Sequence, residues 1–153
     1  MSSISIDSIV PKHRPSVDIM NAQITPNMTH GTFTFSGTED ASNNPVSITC
    51  GYYLTLMSPH AFVEIEGFGG ATGSGAAVTS TTNLPANMRP ALVQYVPVRV
   101  TDAGASPTSN WGTLKVGTDG SMKFYGNAAE LVFTNASVIS ANNVSAKWCT
   151  LAF

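Results

Sequence analysis

The segment TLKVGTDGSMKFY, residues 113–125, decides the fold class. Two short runs, 113–117 and 121–125, alternate apolar with polar side chains on either side of Thr118-Asp119-Gly120. An Asp-Gly pair between alternating runs is a strong hairpin signal, because glycine tolerates the positive φ that a tight turn requires. The segment therefore predicts an antiparallel β-hairpin.

The remainder of the chain repeats this character. Helical periodicity is nearly absent, and 13 glycines and 9 prolines separate short segments rich in Thr, Val, Tyr and Phe. Pro97 lies within one segment and predicts an edge or a bulge there, whereas the glycine-rich run 67–75 predicts a loop. Besides the hairpin, the predicted strands cover residues 31–36, 46–49, 53–56, 61–66, 91–101, 131–134, 137–140 and 144–153. About nine or ten short, regularly spaced strands are typical of an all-β sandwich or jelly roll.

Composition limits the function. The chain has 153 residues, a net charge of −2 and only 7 Lys+Arg, which are scattered singly. One compact domain is expected, and neither a nucleic acid nor an anionic membrane is an expected partner. No run of apolar residues is long enough to cross a membrane, and the first residues lack the regions of a signal peptide. A surface rich in Ser, Thr, Asn and Gly suits an extracellular or virion protein, and release by host lysis would need no signal peptide.

The first residues differ from the rest. Residues 5–24 are interrupted by Pro11 and Pro15 and carry too few apolar side chains to close a core alone. Their apolar side must be buried against the following domain or against copies of the segment. We predict an N-terminal neck or attachment segment at residues 1–28 and a head domain at residues 29–153.

Catalytic and metal-binding motifs are not found. Cys50 and Cys149 lack the spacing of a zinc site, and two buried free thiols are expected rather than a bridge. The three histidines are far apart in sequence, so neither a metal nor a cofactor is expected. Glu64 and Glu66 share one face of a predicted strand, which allows a pair of glycosidase carboxylates, but a solvated strand face is the preferred interpretation. We expect a protein that is not an enzyme.

Two stretches are candidate receptor-binding sites. Trp111 follows Ser109 and Asn110, and an aromatic ring among amides and hydroxyls can stack on the apolar face of a sugar. The competing interpretation places Trp111 in the core or in a seam between subunits. The glycine-rich run supplies the second stretch, either as a recognition tip or as a plain connector. Its candidate residues are Gly69, Gly70 and Thr72.

Three parts of the sequence carry a family resemblance. Residues 6–19, IDSIVPKHRPSVDI, resemble the "IDTI…V.I" unit of fibre necks in tailed phages and large DNA viruses. Residues 51–65 with Asn83-Leu84-Pro85 are similar to the "YYxxIG…V.V…TG…LP" run of trimeric viral fibre tips. The stretches at 84–91, 96–100, 112–116 and 119–125 are similar to "LPAxxRPA…VPVRV…GTLxIxxDGxxxFY", a tail-fibre and virion-protein signature. The chain departs from the pattern at Leu56-Met57, where Ile-Gly is usual, and at Trp111, where a smaller residue is common.

The resemblance implies a homotrimeric fibre head with a jelly roll similar to C1q and tumour necrosis factor, carried on a short β-prism neck. The candidate neck and trimer-interface residues are Ile6, Ile9, Val17, Ile19, Tyr53 and Phe153. The implied function is attachment of a virion, made in the host cytoplasm, to a glycan or protein of the host surface. Residues of the N-terminal segment would join other virion proteins. Decoration of a capsid or tail without receptor binding is the alternative; a soluble cellular effector and a glycan-cleaving fibre are less favoured.

Overall fold

The computed structural model describes residues 27–57, 59–103, 110–135 and 137–150. Ten β-strands run through these residues in a single antiparallel sheet, and one 3₁₀ turn, Ala86–Met88, precedes the sixth strand. The strands are β1 Asn27–Glu39, β2 Pro45–Met57, β3 His60–Ile65, β4 Phe68–Gly73, β5 Val78–Ser80, β6 Gln94–Ala103, β7 Asn110–Val116, β8 Met122–Tyr125, β9 Val138–Ala141 and β10 Val144–Cys149. The all-β, jelly-roll-like fold expected from the sequence is confirmed.

The sheet closes on itself. Its strand order is β10-β3-β2-β1-β4-β9-β6-β7-β8-β5, and a further pairing of β5 with β1 completes a seven-stranded barrel from β1 to β5. Strands β2, β3 and β10 extend the sheet beyond β1 as a flap. The inner side of this flap is apolar, because Leu54, Val63 and Trp148 are each almost fully buried.

Aromatic side chains fill the core. Phe35 and Phe124 lie edge to face with ring centroids 5.3 Å apart, and Phe68 contacts Phe124 in the same way at 5.5 Å. Phe133 is fully buried against Phe68. Burial of large side chains of this kind contributes most of the free energy that favours folding.

The hairpin expected at residues 113–125 is confirmed. Strands β7 and β8 pair across it, and Gly120 has φ +86°. The amide of Gly120 donates to the carbonyl oxygen of Gly117 over 2.9 Å, and the Asp119 carboxylate accepts from the amide and hydroxyl of Ser121. Pro97 lies where β6 pairs with β7 alone among the described strands, because pairing with β9 starts at Val100.

Three sequence predictions are wrong. The segments 46–49 and 53–56 form one strand, β2, because pairing with β1 continues through Cys50, Gly51 and Tyr52. The predicted loop 67–75 contains strand β4, which pairs with β9 and β1. Residues 131–134 are not a strand; Phe133 is buried, but the amide of Thr134 donates to the Asp102 carboxylate and not to a strand ladder.

Candidate functional site

Trp111 stands on the outer side of the barrel. Along β7, Gly112, Leu114 and Val116 face the core, so the opposite parity points Trp111 outward. The indole is 62% exposed, and its cross-strand neighbour on β6 is Arg99. Trp111 therefore does not pack into the core of its own domain. The other part of the competing interpretation, a position in a seam between subunits, stays a prediction.

Gly69, Gly70 and Thr72 lie on strand β4, not on the expected loop. Gly69 and Gly70 are exposed, and Gly70, with φ +74°, sits in the register shift between Phe68 and Ala71. Strands β9 and β6 separate β4 from β7 in the closed seven-stranded barrel, so the structure does not bring these residues together with Trp111. These candidate residues therefore lie on a paired strand of the barrel and not on an adaptable loop tip.

The structure describes only some of the other predicted site and interface residues. Asn110 pairs with Val100 at the start of β7. Tyr53, 55% exposed, lies on the outer side of β2, next to His30 of β1. The remaining predicted residues lie outside the described part of the chain: Ser109, Ile6, Ile9, Val17, Ile19 and Phe153.

A charged cluster around Lys115, four residues along β7 from Trp111, was not anticipated from the sequence. The Lys115 ammonium lies 2.7 Å from the Glu130 carboxylate and 5.3 Å from the centre of the Tyr95 ring. The hydrogen bond from Lys115 lowers the pKa of Glu130 below its ordinary value and raises that of Lys115. Glu130 has φ +57°, a conformation that few residues other than glycine adopt. Tyr95, Pro97 and Arg99 alternate with valines along the sequence, and this alternation is a signal that they lie on the outer face of β6. No sequence spacing connects Glu130 with Lys115.

Glu64 and Glu66 face away from the core, as predicted. Glu64 on β3 and Glu66 just after it are exposed, whereas the alternate residues Val63 and Ile65 are buried. The Glu66 carboxylate accepts a hydrogen bond from the Gly51 amide over 3.1 Å. A Cβ at position 51 would lie 2.6 Å from that carboxylate oxygen, so a larger residue there would make the Glu66 side chain shift.

The described residues hold no group of three or more His, Cys, Asp or Glu side chains that would suit a metal ion. Cys50 is a buried free thiol on β2, whereas Cys149 is half-buried on β10. Burial, and secondly the negative charge of Glu66, raise the pKa of Cys50 to about 11. A thiol with this pKa stays protonated and unreactive near neutral pH.

These features define an all-β barrel domain whose outward strand faces carry exposed aromatic side chains. No protein-family model and no curated protein sequence matches the chain. Among solved structures, the fold is similar to the reovirus attachment protein sigma1 in complex with alpha-2,3-sialyllactose, at a TM-score of 0.43 and 10% identity. The match covers 80% of this chain and 67% of that chain. Along the part of the chain that the structure covers, no helix has the length and apolarity needed to span a membrane.

Proposed function

We propose that the chain is the head of a homotrimeric fibre or spike on the surface of a virion and attaches it to a carbohydrate of the host surface. The role is one of binding, without catalysis and without a cofactor. Residues 1–28 connect the head to other virion proteins. The sequence resemblance to viral fibre heads supports the class of protein, and the exposed indole of Trp111 supports the binding role.

The exposed indole of Trp111 is the observation on which the proposal depends. A tryptophan that is 62% exposed leaves much apolar surface in water, and this surface is the kind that stacks on the apolar face of a sugar ring. Trp111 pairs with Arg99 of β6, and β7 also pairs with β8 from Thr113 onward, so the backbone that carries the indole loses little conformational freedom on binding. Arg99 is the cross-strand neighbour of Trp111 and is exposed on the same outer face, so a charged side chain lies beside the indole.

Three copies would compensate for a shallow site. Single sites on flat strand faces bind weakly, because they bury little of the ligand. Three sites on one rigid head engage several surface glycans at once, and the second and third contacts then form at a high effective concentration.

The test is binding of the purified full chain to an immobilised panel of sialylated, neutral and sulphated oligosaccharides. We expect Trp111→Ala to weaken binding at least tenfold and Trp111→Phe to weaken it less. Leu92→Ala is the matched control, because Leu92 is 74% exposed and carries no aromatic ring. The control should bind as the unchanged protein does.

Two outcomes would contradict the proposal. Equal glycan binding by the Trp111→Ala variant and the unchanged protein would remove Trp111 from the site. Binding to virus particles without binding to any glycan or to host cells would favour the alternative, a capsid or tail decoration protein.

A further inference from the structure

The outward side chains of β1, β2, β3 and β10 form a second surface, here called the flap face. The strand register places Met28, Thr55, Phe62 and Lys147 in one row across it. The next row contains His30, Tyr53, Glu64 and Ser145. The flap face is thus a continuous four-stranded surface on the side of the sheet opposite the core.

Large apolar side chains are concentrated on this face. Met28 is 65% exposed, Tyr53 55%, Met57 45% and Phe62 36%. They surround a groove of about 380 Å³ that Thr55 and Glu64 complete. Two smaller depressions continue from this groove over β3 to β10, so the concave surface crosses the whole flap. An exposed apolar patch of this extent is typical of a surface that binds another macromolecule.

The charges on the flap face are of both signs and lie on different strands. Glu64 and Glu66 supply carboxylates on the β3 side, next to the groove. Lys147 on β10 holds its ammonium 5.8 Å from the centre of the Phe62 ring. A second copy turned about a shared axis can therefore bring its Lys147 to the carboxylates of the first.

The path of the chain also leads to this face. Strand β1 begins at Asn27, opposite Leu56, and the next residue, Met28, lines the groove. The 26 preceding residues include five apolar side chains that cannot form a core alone: Ile6, Ile9, Val10, Val17 and Ile19. The N-terminal segment must bury its apolar side, and it joins the domain at the edge of the flap face. The flap face also carries apolar side chains that are exposed in a single copy.

We infer that the flap face is the surface through which copies of this chain pack against one another. The groove residues of one copy meet the β10 side of the next, with Lys147 of one copy near Glu64 and Glu66 of its neighbour. In a cyclic assembly each copy offers two different surfaces to its neighbours, and here these are the groove and the β10 edge of the flap face. The inference rests on the proposed function for the number of copies, three.

The experiment measures the mass of the full chain in solution by light scattering over a range of concentrations. The unchanged protein should have a mass near 48 kDa, three times the 16.0 kDa of one chain. Tyr53→Lys should weaken association at least tenfold, because three buried ammonium groups would replace apolar rings. Tyr95→Lys is the matched control, because Tyr95 is a tyrosine on β6 that is 56% exposed and lies outside the flap face, and this variant should keep the mass of the unchanged protein.

A charge reversal gives an independent measurement. Glu64→Lys and Lys147→Glu should each weaken association several-fold, and the double variant should recover most of it. The four substituted positions, Tyr53, Tyr95, Glu64 and Lys147, are all exposed. The variants should therefore keep the far-ultraviolet circular dichroism spectrum and the unfolding midpoint of the monomeric domain.

A mass of 16.0 kDa at every concentration would overturn the inference, as would a Tyr53→Lys variant that associates like the unchanged protein. These results are distinct from failure of the proposed function. A trimer that survives Tyr53→Lys and binds glycans through Trp111 refutes the flap face alone. A trimer that dissociates with Tyr53→Lys but binds no glycan refutes the attachment role alone.

Discussion

Cys50 illustrates how a single buried group can make stability depend on pH. Only 1% of its surface is exposed, and burial together with the charge of Glu66 raises the pKa of the thiol from 9.0 to about 11. The folded protein therefore keeps this proton at a pH where the unfolded chain has lost it. Since the folded state then binds more protons, stability falls as pH rises from about 9 to about 11.

Replacement of this thiol should reveal its contribution. Cys50→Ala destabilises the domain at pH 8 through lost packing, but the variant has no thiol to titrate. We expect the difference in unfolding free energy between the unchanged protein and the variant to shrink by about 1–2 kcal/mol between pH 8 and pH 11. Urea unfolding at several pH values measures it. A difference that stays constant across this range would show that the pKa of Cys50 is not raised.

At the scale of one strand, β4 depends on glycine for contact with its neighbours. A Cβ at Gly73 would lie 2.1 Å from the carbonyl oxygen of Thr134. At Gly69, on the same strand, the nearest atom would be the Cβ of Ser140 at an ordinary 3.8 Å. The two glycines therefore occupy very different surroundings, although both belong to one glycine-rich run.

The pair Gly73→Ala and Gly69→Ala tests this difference. Gly73→Ala should lower the free energy of unfolding by about 2–3 kcal/mol, because backbone atoms must move to admit the methyl group. Gly69→Ala should change it by less than about 0.5 kcal/mol. Equal effects in a thermal or urea unfolding experiment would mean that the approach of Thr134 to β4 is not tight.

The β7–β8 hairpin and strand β4 show where sequence reasoning succeeds and where it ends. The hairpin at 113–125 was predictable because its determinants are local: Gly120 adopts the positive φ and Asp119 bonds to Ser121 two residues away. Strand β4 was not, because Gly73 packs against the carbonyl oxygen of Thr134, and Gly67, just before the strand, packs against that of Ala141, and both partners are distant in sequence. Glycine-rich composition alone does not distinguish a loop from a strand that another backbone segment approaches closely.

The candidate site follows the same rule. The outward direction of Trp111 was available from the alternation of β7, since Leu114 and Val116 are apolar and of opposite parity. Its neighbour Arg99 could be identified only once the pairing of β6 with β7 was known. The ion pair of Glu130 with Lys115 likewise depends on the path of the chain after β8. Local periodicity therefore gives the direction of a side chain, whereas its neighbours depend on topology.

At the scale of the whole molecule, Trp148 connects the flap to the barrel. Its indole is 4% exposed and donates a hydrogen bond over 2.8 Å to the carbonyl oxygen of Met88, in the 3₁₀ turn that precedes β6. The amide of Ala91 donates to the carbonyl oxygen of Cys149 beside it. The outermost strand of the flap is thus bound to a segment on the opposite side of the core.

Trp148→Phe should lower the free energy of unfolding by about 1–3 kcal/mol, because the buried carbonyl of Met88 loses its donor. Trp111→Phe is the control and should change it by less than about 0.5 kcal/mol, since Trp111 is exposed. Circular dichroism during urea unfolding compares the two variants. Equal stability of both would indicate that the flap is held by apolar packing alone.

The pairing of β1 with β2 has a mechanical consequence. The two strands are antiparallel and paired from Asn27 to Glu39, apart from a register shift after Phe35, and β5 and β4 hold the far end of β1 from its other side. A pulling force applied at Asn27 along the strand would load these hydrogen bonds in shear, all together, and would not peel them apart one by one. The lifetime of a domain under force depends on its unfolding rate. A tether joined at Asn27 would therefore transmit tension to the most extensively paired strand of the domain.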